Sequence, residues 1–279
     1  MKQTLCSVAS NVEVMPGIHL MLIEAPDIAV AAQPGQFITV RCGDFTLRRP
    51  FSVHQVSSRE IALLFKVAGK GALWLSQRQK LDRIDILGPL GRGFSIEPGA
   101  RNLLLVAGGI GIAPLVFLMQ CASSQNQITL IHGANTAAQL YSFSSTSKRR
   151  SKLSLLPKGV QFIPVTEDGS KGKKGMATDI MPDFLDWANQ VYACGPVDMY
   201  KAMALTLNSS PLKGEDKGEG EKPSNLKLRK CQVSLEVRMG CGFGACYSCT
   251  INTKKGLKQV CRDGPVFELD DIIWQEVRI

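Results

Sequence analysis

Over the first ninety residues, apolar and polar positions alternate with a period of two. The segments IHLMLIEA (18–25), QFITVRC (36–42) and IALLFKV (61–67) each carry this pattern, and Pro16-Gly17, Pro34-Gly35 and Ser57-Ser58 separate them. The opening stretch, MKQTLCSVASNVEV, alternates in the same way. Short strands at regular spacing, punctuated by Gly and Pro, predict a small antiparallel β-barrel over residues 1–98. At Ile86-Leu87-Gly88-Pro89-Leu90-Gly91 the sequence turns dense in Gly and Pro up to Pro98-Gly99, which reads as the exit from this domain.

Beyond that point the pattern changes to strand, glycine turn and helix. RNLLLVA leads through GGIGIAP into LVFLMQC. The strand ITLIHGANTAA follows, then a strand at 160–165, the loop TEDGSKGKKG, a helix over 178–188, the strand QVYA and the helix VDMYKAMAL. This alternation predicts an α/β domain with a parallel sheet over residues 99–207. Residues 208–229 hold no aromatics, few apolar residues and mixed charge, and read as a flexible linker. From 230 to 279, CQVSLEV reads as a strand entering a cysteine loop, and Thr250-Ile251 pairs with Lys258-Gln259-Val260 as a hairpin around Gly256. The tail GPVFELDDIIW packs this small C-terminal β domain or docks it on its neighbours. The expected fold is therefore multi-domain: barrel, α/β sheet, small β domain.

Composition narrows the function classes. The chain has 279 residues, 44% of them hydrophobic, enough for more than one core. Its net charge of +9 is scattered, with one cluster at Lys148, Arg149, Arg150 and Lys152 and another at Lys171, Lys173 and Lys174. No basic stripe is interleaved with aromatics, which argues against a nucleic-acid partner. The most apolar segment, 103–119, is broken by Gly108, Gly109, Gly111 and Pro114, which argues against a membrane span. Nine cysteines, an odd number, in a chain whose N-terminus has no apolar signal core point to a reducing cytoplasm.

Four of those cysteines carry the clearest chemistry. Cys241, Cys246, Cys249 and Cys261 follow C-x4-C-x2-C-x11-C, and Gly240, Gly242 and Gly244 lie within the same loop. A [2Fe-2S] cluster takes four thiolates, and glycines let backbone N–H groups approach its sulfides. Structural zinc and disulfides are the alternatives, although paired C-x2-C zinc knuckles leave the x4 gap unexplained. Upstream, Arg48-Arg49-Pro50-Phe51-Ser52 offers a cation, a rigid turn, an aromatic and a hydroxyl, suited to a pyrophosphate and a ring or else an exposed strand start. Gly69-Lys70-Gly71-Ala72 opens a helix-like stretch, LWLSQRQ, where backbone amides and the helix N-terminus suit a phosphate. GGIGIAP has the form of a dinucleotide turn, with Pro114 at the first helical position and in the place of a third glycine. After ITLIHGANTAA neither an acid for a ribose hydroxyl nor an arginine for a 2′-phosphate follows, a pattern that leans toward NAD over NADP without deciding between them. Cys194-Gly195-Pro196 ends a parallel strand, where ligands bind in such sheets and where a small buried hydrophobe also fits. A nicotinamide carries two electrons at once and a two-iron cluster one, so a flavin, able to do either, is the natural intermediary.

RPFS in a barrel, then GGIGIAPL, ACGP and CGFGACYSC…VCRDGPVF, in that order, resemble the ferredoxin reductase superfamily. The likeness is closest to the electron-transfer subunits of class 1B dihydroorotate dehydrogenases and covers nearly the whole chain outside the linker. It implies that Arg49, Pro50, Phe51 and Ser52 contact FAD, with Ser52 near the flavin N5 as a catalytic group. It implies that Leu64, Phe65 and Lys66 line the nucleotide, and that Gly71 and Ala72 bind its pyrophosphate, Ala72 departing from a usual threonine. Gly109, Gly111 and Pro114 would face the NAD pyrophosphate, and Cys194 with Gly195 the nicotinamide, Cys194 as the second catalytic group. Cys241, Cys246, Cys249 and Cys261 would hold the [2Fe-2S] cluster. The implied role is a cytoplasmic relay in pyrimidine biosynthesis, from the FMN of a separate catalytic subunit through [2Fe-2S] and FAD to NAD+, in a heterotetramer of two of each subunit. Architecturally similar subunits serve sulfide dehydrogenases, NADH-ferredoxin transhydrogenases and hydrogenases, and a zinc-stabilised binding module is the rival of another class.

Overall fold

The computed structural model describes residues 1–143, 156–209 and 230–277. The expected linker, apart from its first two residues, and the basic cluster at Lys148, Arg149, Arg150 and Lys152 lie outside them.

Seven antiparallel strands form the first sheet, in the order Arg49–Ser52, Phe37–Arg41, Arg83–Leu90, Lys2–Met15, Ile18–Glu24, Glu60–Lys66 and Gln55–Val56. The two edge strands are separated in sequence only by Val53 and His54. Three peptide steps reach roughly 10 Å at most, so the edges lie side by side and the sheet curls into a barrel. Phe51 on one edge strand packs against Phe65 from the other end of the sheet, with ring centroids 5.4 Å apart. Residues two apart, such as Met21 and Ile23, Ile38 and Val40, Ile61 and Leu63, and Ile84 and Ile86, point together into the interior. The alternation read from the sequence is this inward face.

The sequence 86–91 is not a domain exit. Arg83–Leu90 is an inner strand, paired on one side with Lys2–Met15 and on the other with Phe37–Arg41. A bulge between the Phe37–Leu90 and Thr39–Leu87 pairs absorbs Gly88 and Pro89. Gly88 is small because a Cβ there would stand 2.6 Å from Ile38 Cγ2. The chain leaves the barrel only after this strand.

The second sheet runs Lys173–Lys174, Val160–Thr166, Gln127–Ala134, Asn102–Gly108, Gln190–Cys194, Cys231–Ser234 and Val266–Glu268, parallel except for the last pair. Helix Ile112–Ala122 follows its first strand, and helix Val197–Ser209 follows Gln190–Cys194. Two local expectations differ. The helix anticipated over 178–188 is two short ones, Ala177–Ile180 and Pro182–Leu185, because Pro182 has no N–H to continue the first and starts the second. The loop TEDGSKGKKG contributes an edge strand, Lys173–Lys174.

Cys231–Ser234, anticipated as part of the small C-terminal domain, instead adds a strand to the parallel sheet, with Val191 opposite Cys231 and Ala193 opposite Val233. All four of its residues are buried, as is every residue of Gln190–Cys194. A strand buried on both faces belongs within a parallel sheet rather than at a solvated edge. What remains beyond it is the cysteine loop, a hairpin of Thr250–Thr253 with Gly256–Gln259 in the anticipated register, and the helix Val260–Asp263. This piece shares one core with its neighbours: Cys249, Ile251, Val260, Cys261 and Trp274 pack with Val191, Ala193 and Tyr200 of the α/β unit and with Phe37 and Leu90 of the barrel. The tail, through Trp274, docks the small unit. Among the described residues no helix is long and apolar enough to cross a membrane.

Candidate functional site

A cavity of about 540 Å³ opens where the three units meet. The barrel gives it Pro50, Phe51 and Ser52 from one edge strand and Leu64, Phe65 and Lys66 from another. All six were singled out from sequence. The glycine turn of the α/β unit supplies Ile110 and Ala113, and the opposite wall is the continuous stretch 234–239. Sequence reasoning read this wall only as part of a strand leading to the cysteine loop; it alternates polar and apolar residues, and its two charged side chains, Glu236 and Arg238, carry no motif. Glu236 borders the cavity as an exposed residue, and partial desolvation by the surrounding protein raises its carboxyl above its ordinary pKa.

Arg49, Gly71 and Ala72 stand beside this cavity rather than in its lining. A Cβ on Gly71 would stand 2.9 Å from Arg49 Cγ and Nε, so the glycine makes room for the arginine stem. The Arg49 Nη1 donates to the Leu47 carbonyl at 2.8 Å, and the guanidinium lies 5.7 Å from the Phe45 ring centroid. Lys70–Ser76 is a helix of only seven residues, so it is the cation and the backbone amides, brought together, that suit a pyrophosphate here.

A second cavity, about 400 Å³, lies at the carboxyl ends of the parallel strands. Gly109 lines it with φ +53°, a left-handed conformation, and nothing stands within 4 Å of where its Cβ would be. Gly111 does not face that space. A Cβ there would stand 2.1 Å from the Cys194 carbonyl oxygen and 2.7 Å from the Gly195 nitrogen, so this glycine lets two turns of the α/β unit interlock. Pro114 is buried and is the third helical residue, not the first; its missing N–H still falls among the four unbonded donors of the helix start. Glu167 and Asp198 line the second cavity and no lysine or arginine does. Glu167 follows the strand Val160–Thr166, one strand later than the sequence search for a ribose-binding acid had reached.

Gly109 borders one cavity and its neighbour Ile110 the other, so the two spaces meet at this turn. Cys194 lies against the same turn and is buried; its thiol is pushed well up, by burial first and then by the Glu236 carboxylate, and stays neutral. The fully buried Tyr200 ties the region together: its hydroxyl accepts from the Gly195 N–H at 2.9 Å and donates to the Ser234 carbonyl at 2.7 Å.

Two residues beyond the cavity-lining Met239 the cysteine loop begins. Its thiols group two and two. Cys241 N–H donates to Cys246 Sγ at 3.3 Å and Ala245 N–H to Cys241 Sγ at 3.2 Å, while Cys261 N–H donates to Cys249 Sγ at 3.4 Å. Cys246 is exposed, whereas Cys249 and Cys261 are buried. The Ser248 hydroxyl, then the Ser248 and Cys241 N–H groups, bring the Cys246 thiol down to about 6. Burial opposes ionisation of Cys241, but N–H groups of Phe243, Cys246 and Ala245 outweigh it and lower that thiol as well. Burial pushes Cys261 up to about 12. Gly242, at φ +80°, seats the loop on the barrel, where a Cβ would stand 2.8 Å from Thr39 Cγ2. Among the described residues no group of three or more His, Cys, Asp or Glu surrounds a point that could hold a single metal ion. Two thiol pairs, ringed by N–H donors, fit a two-iron centre, which takes two thiolates per iron.

Comparison with known proteins accords with this geometry. Residues 236–273 match the family model for the iron-sulfur cluster binding domain of dihydroorotate dehydrogenase B, and residues 105–204 match the oxidoreductase NAD-binding domain. The dihydroorotate dehydrogenase B (NAD(+)) electron transfer subunit of Desulforamulus reducens is 40% identical over 94% of this chain and 95% of its own length. Its counterpart from Clostridium acetobutylicum is 33% identical over 98% of each chain. Among solved structures, one of the NADH-dependent reduced ferredoxin-NADP oxidoreductase superposes with a TM-score of 0.78 at 27% identity, over 98% of this chain and 91% of that one. A ferredoxin NADP+ reductase from Neisseria gonorrhoeae shares the fold over 75% of this chain and 91% of that one, at a TM-score of 0.61 and 16% identity. The chain belongs to the family of dihydroorotate dehydrogenase B electron transfer subunits.

Proposed function

We propose that this chain is the electron-transfer subunit of an NAD-dependent dihydroorotate dehydrogenase, taking electrons from the FMN of a catalytic subunit by way of [2Fe-2S] and FAD and delivering them to NAD+ for pyrimidine biosynthesis. One observation carries the reading: the wall 234–239 of the 540 Å³ cavity runs directly into the thiol loop, while the same cavity meets the glycine turn at Gly109-Ile110. From Met239 to Cys241 the chain spans at most about 7 Å. When bound, a flavin supplies exchange between paired and single electrons and a two-iron cluster supplies one-electron steps.

The chain's own residues do the rest. Pro50, Phe51, Leu64 and Phe65 give a ring-sized apolar lining, and Ser52 offers it a hydroxyl. Lys66 borders the same space, and Arg49 beside Gly71 and Ala72 serves the pyrophosphate. Gly109 leaves open the approach to the nucleotide turn, with Gly111 and Pro114 shaping the turn from behind. Cys194, held neutral, presents a small thiol at the nicotinamide end, with the Gly195 backbone fixed by Tyr200. Glu167 and Asp198, the charged residues in a lining that holds no lysine or arginine among the described residues, favour a nucleotide lacking a 2′-phosphate, although Lys201 pairs with Asp198 at 3.7 Å from outside that lining. Cys241 and Cys246 form the outward pair of ligands, and the exposed Phe243 and Tyr247 beside them suit contact with the catalytic subunit. A heterotetramer of two of each subunit in the cytoplasm belongs to this proposal; all nine cysteines are free thiols, in keeping with a reducing compartment.

The test is anaerobic copurification. FAD, iron and acid-labile sulfide in the chain, an FMN subunit bound to it, and dihydroorotate-dependent NAD+ reduction by the complex are the expected results. Colourless protein holding one zinc overturns the reading. A second reading, service to a different oxidoreductase, is favoured by the 27%-identical ferredoxin-NADP oxidoreductase structure; recovery of a partner inert toward dihydroorotate would select it.

A further inference from the structure

We infer that His132 is a positioning residue for the pyridine nucleotide, pinning the glycine turn after the strand Asn102–Gly108 in the shape that borders the 400 Å³ cavity. The inference rests on the reading of that cavity as the nucleotide site. His132 sits near the end of the neighbouring strand, opposite Ala107, and is completely buried. Its Nε2 lies 3.0 Å from the Gly109 carbonyl oxygen. That oxygen can only accept, so Nε2 carries the proton and Nδ1 is left as an acceptor. Nδ1 is buried and has no hydrogen-bond partner among the described residues.

This arrangement is poor for stability. An orphaned buried acceptor carries a desolvation penalty, whereas an apolar side chain of similar size would fill the same space without one. What the imidazole adds is a hold on Gly109. The Gly109 carbonyl also accepts from the Ile112 N–H that opens the following helix. With both bonds made, the plane of the Gly109-Ile110 peptide is fixed, and with it the direction of the Ile110 N–H on its far side. Gly109 is otherwise free to move: it is left-handed, has no Cβ, and faces open space. Without the pin the turn samples other orientations, and nucleotide binding must restrict them.

The test uses the anaerobic complex with its cofactors, and NADH as the probe. In His132→Leu, NADH binding followed by fluorescence weakens about tenfold, close to 1.4 kcal/mol. KM for NAD+ rises in parallel, kcat at saturation stays within about twofold, and flavin and iron contents are unchanged. His132→Gln, whose Nε2 amide reaches as far as the imidazole Nε2, recovers most of the affinity. Should the leucine variant not accumulate, His132→Asn, too short to reach Gly109, takes its place. Equal weakening in the donor-free and glutamine variants overturns the inference, as does wild-type affinity with only a lowered melting temperature. A wild-type complex that binds no NADH overturns the cavity reading and the inference together.

Discussion

At the scale of single residues, the cysteines and glycines of the two turns divide the work. Cys246 is the exposed member of the outer thiol pair and, near 6, is already ionised at neutral pH. Cys246→Ser is expected to abolish electron transfer to and from the catalytic subunit while NADH-to-dye turnover through the flavin stays largely intact; parallel assays with ferricyanide and with dihydroorotate separate the two, and survival of both removes the cluster from the path. Gly111→Ala places a methyl 2.1 Å from the Cys194 carbonyl, against backbone that has no room to yield. Overpacking of this kind costs about 1–3 kcal/mol, read from denaturant unfolding, and NADH binding falls with it because the nicotinamide turn is displaced. These two residues also mark what a sequence reveals at this scale. The C-x4-C-x2-C spacing is one an iron-sulfur cluster takes, so the four cysteines were legible as candidate ligands, with zinc and disulfides as the alternatives. A glycine in a turn signals close approach without saying of what, and at Gly111 the space a Cβ would take is filled by the Cys194 carbonyl at a strand end. His54 and His132 carried no signal, since buried polar contacts leave no periodic trace.

At the scale of elements, strands whose alternation reflects one buried face were legible, and so was the Thr250–Gln259 hairpin, whose register Gly256 sets. Elements defined by a distant partner were not. Arg83–Leu90 carries Gly and Pro that normally mark an exit, yet a bulge accommodates them. Cys231–Ser234 pairs in parallel with Gln190–Cys194, from which a helix and the whole linker separate it in the chain. That added strand makes the small unit inseparable from the α/β unit, and Tyr200 is its fastening. The ring stacks on Trp274 at 5.2 Å, and the hydroxyl joins the Gly195 N–H to the Ser234 carbonyl. Tyr200→Phe keeps the stack and leaves both backbone groups unsatisfied. It is expected to destabilise the protein by about 1–3 kcal/mol in chemical denaturation. The KM for NAD+ is also expected to rise, because the Gly195 peptide is no longer held. An unchanged KM at reduced stability would restrict Tyr200 to packing.

At the scale of the whole molecule, barrel and α/β unit are joined through the buried His54 as well as apolar contacts, and a second buried histidine, His132, lies within the α/β unit. His54, in the link that closes the barrel, places Nδ1 2.9 Å from the Ala113 carbonyl oxygen at the start of the first α/β helix and Nε2 3.2 Å from the Tyr141 hydroxyl. His132 stands behind the nucleotide turn. Burial lowers both to about 4, against an ordinary 6.5, with their backbone contacts to Ala113 and Gly109 opposing the shift. Unfolded, each histidine takes a proton near 6.5; folded, it resists until about 4. The unfolded state therefore binds more protons throughout that window, and stability falls as pH drops through it. The contribution is complete above 6.5 and gone below 4. Each histidine is worth on the order of 3 kcal/mol, so the joint loss rivals the stability of a typical domain. Glu236 and Glu268, whose carboxyls are raised by partial desolvation, act in the opposite sense by releasing protons less readily when folded, and they blunt the slope near its acid end. Urea midpoints measured from pH 7 to pH 4 are expected to fall steeply between 6.5 and 4.5, with a slope approaching two protons. His54→Gln should remove about half of that slope. A flat profile across this range would mean that neither histidine is sealed from water and, since His54 bridges the two units, that the barrel and the α/β unit part more easily than their shared core implies.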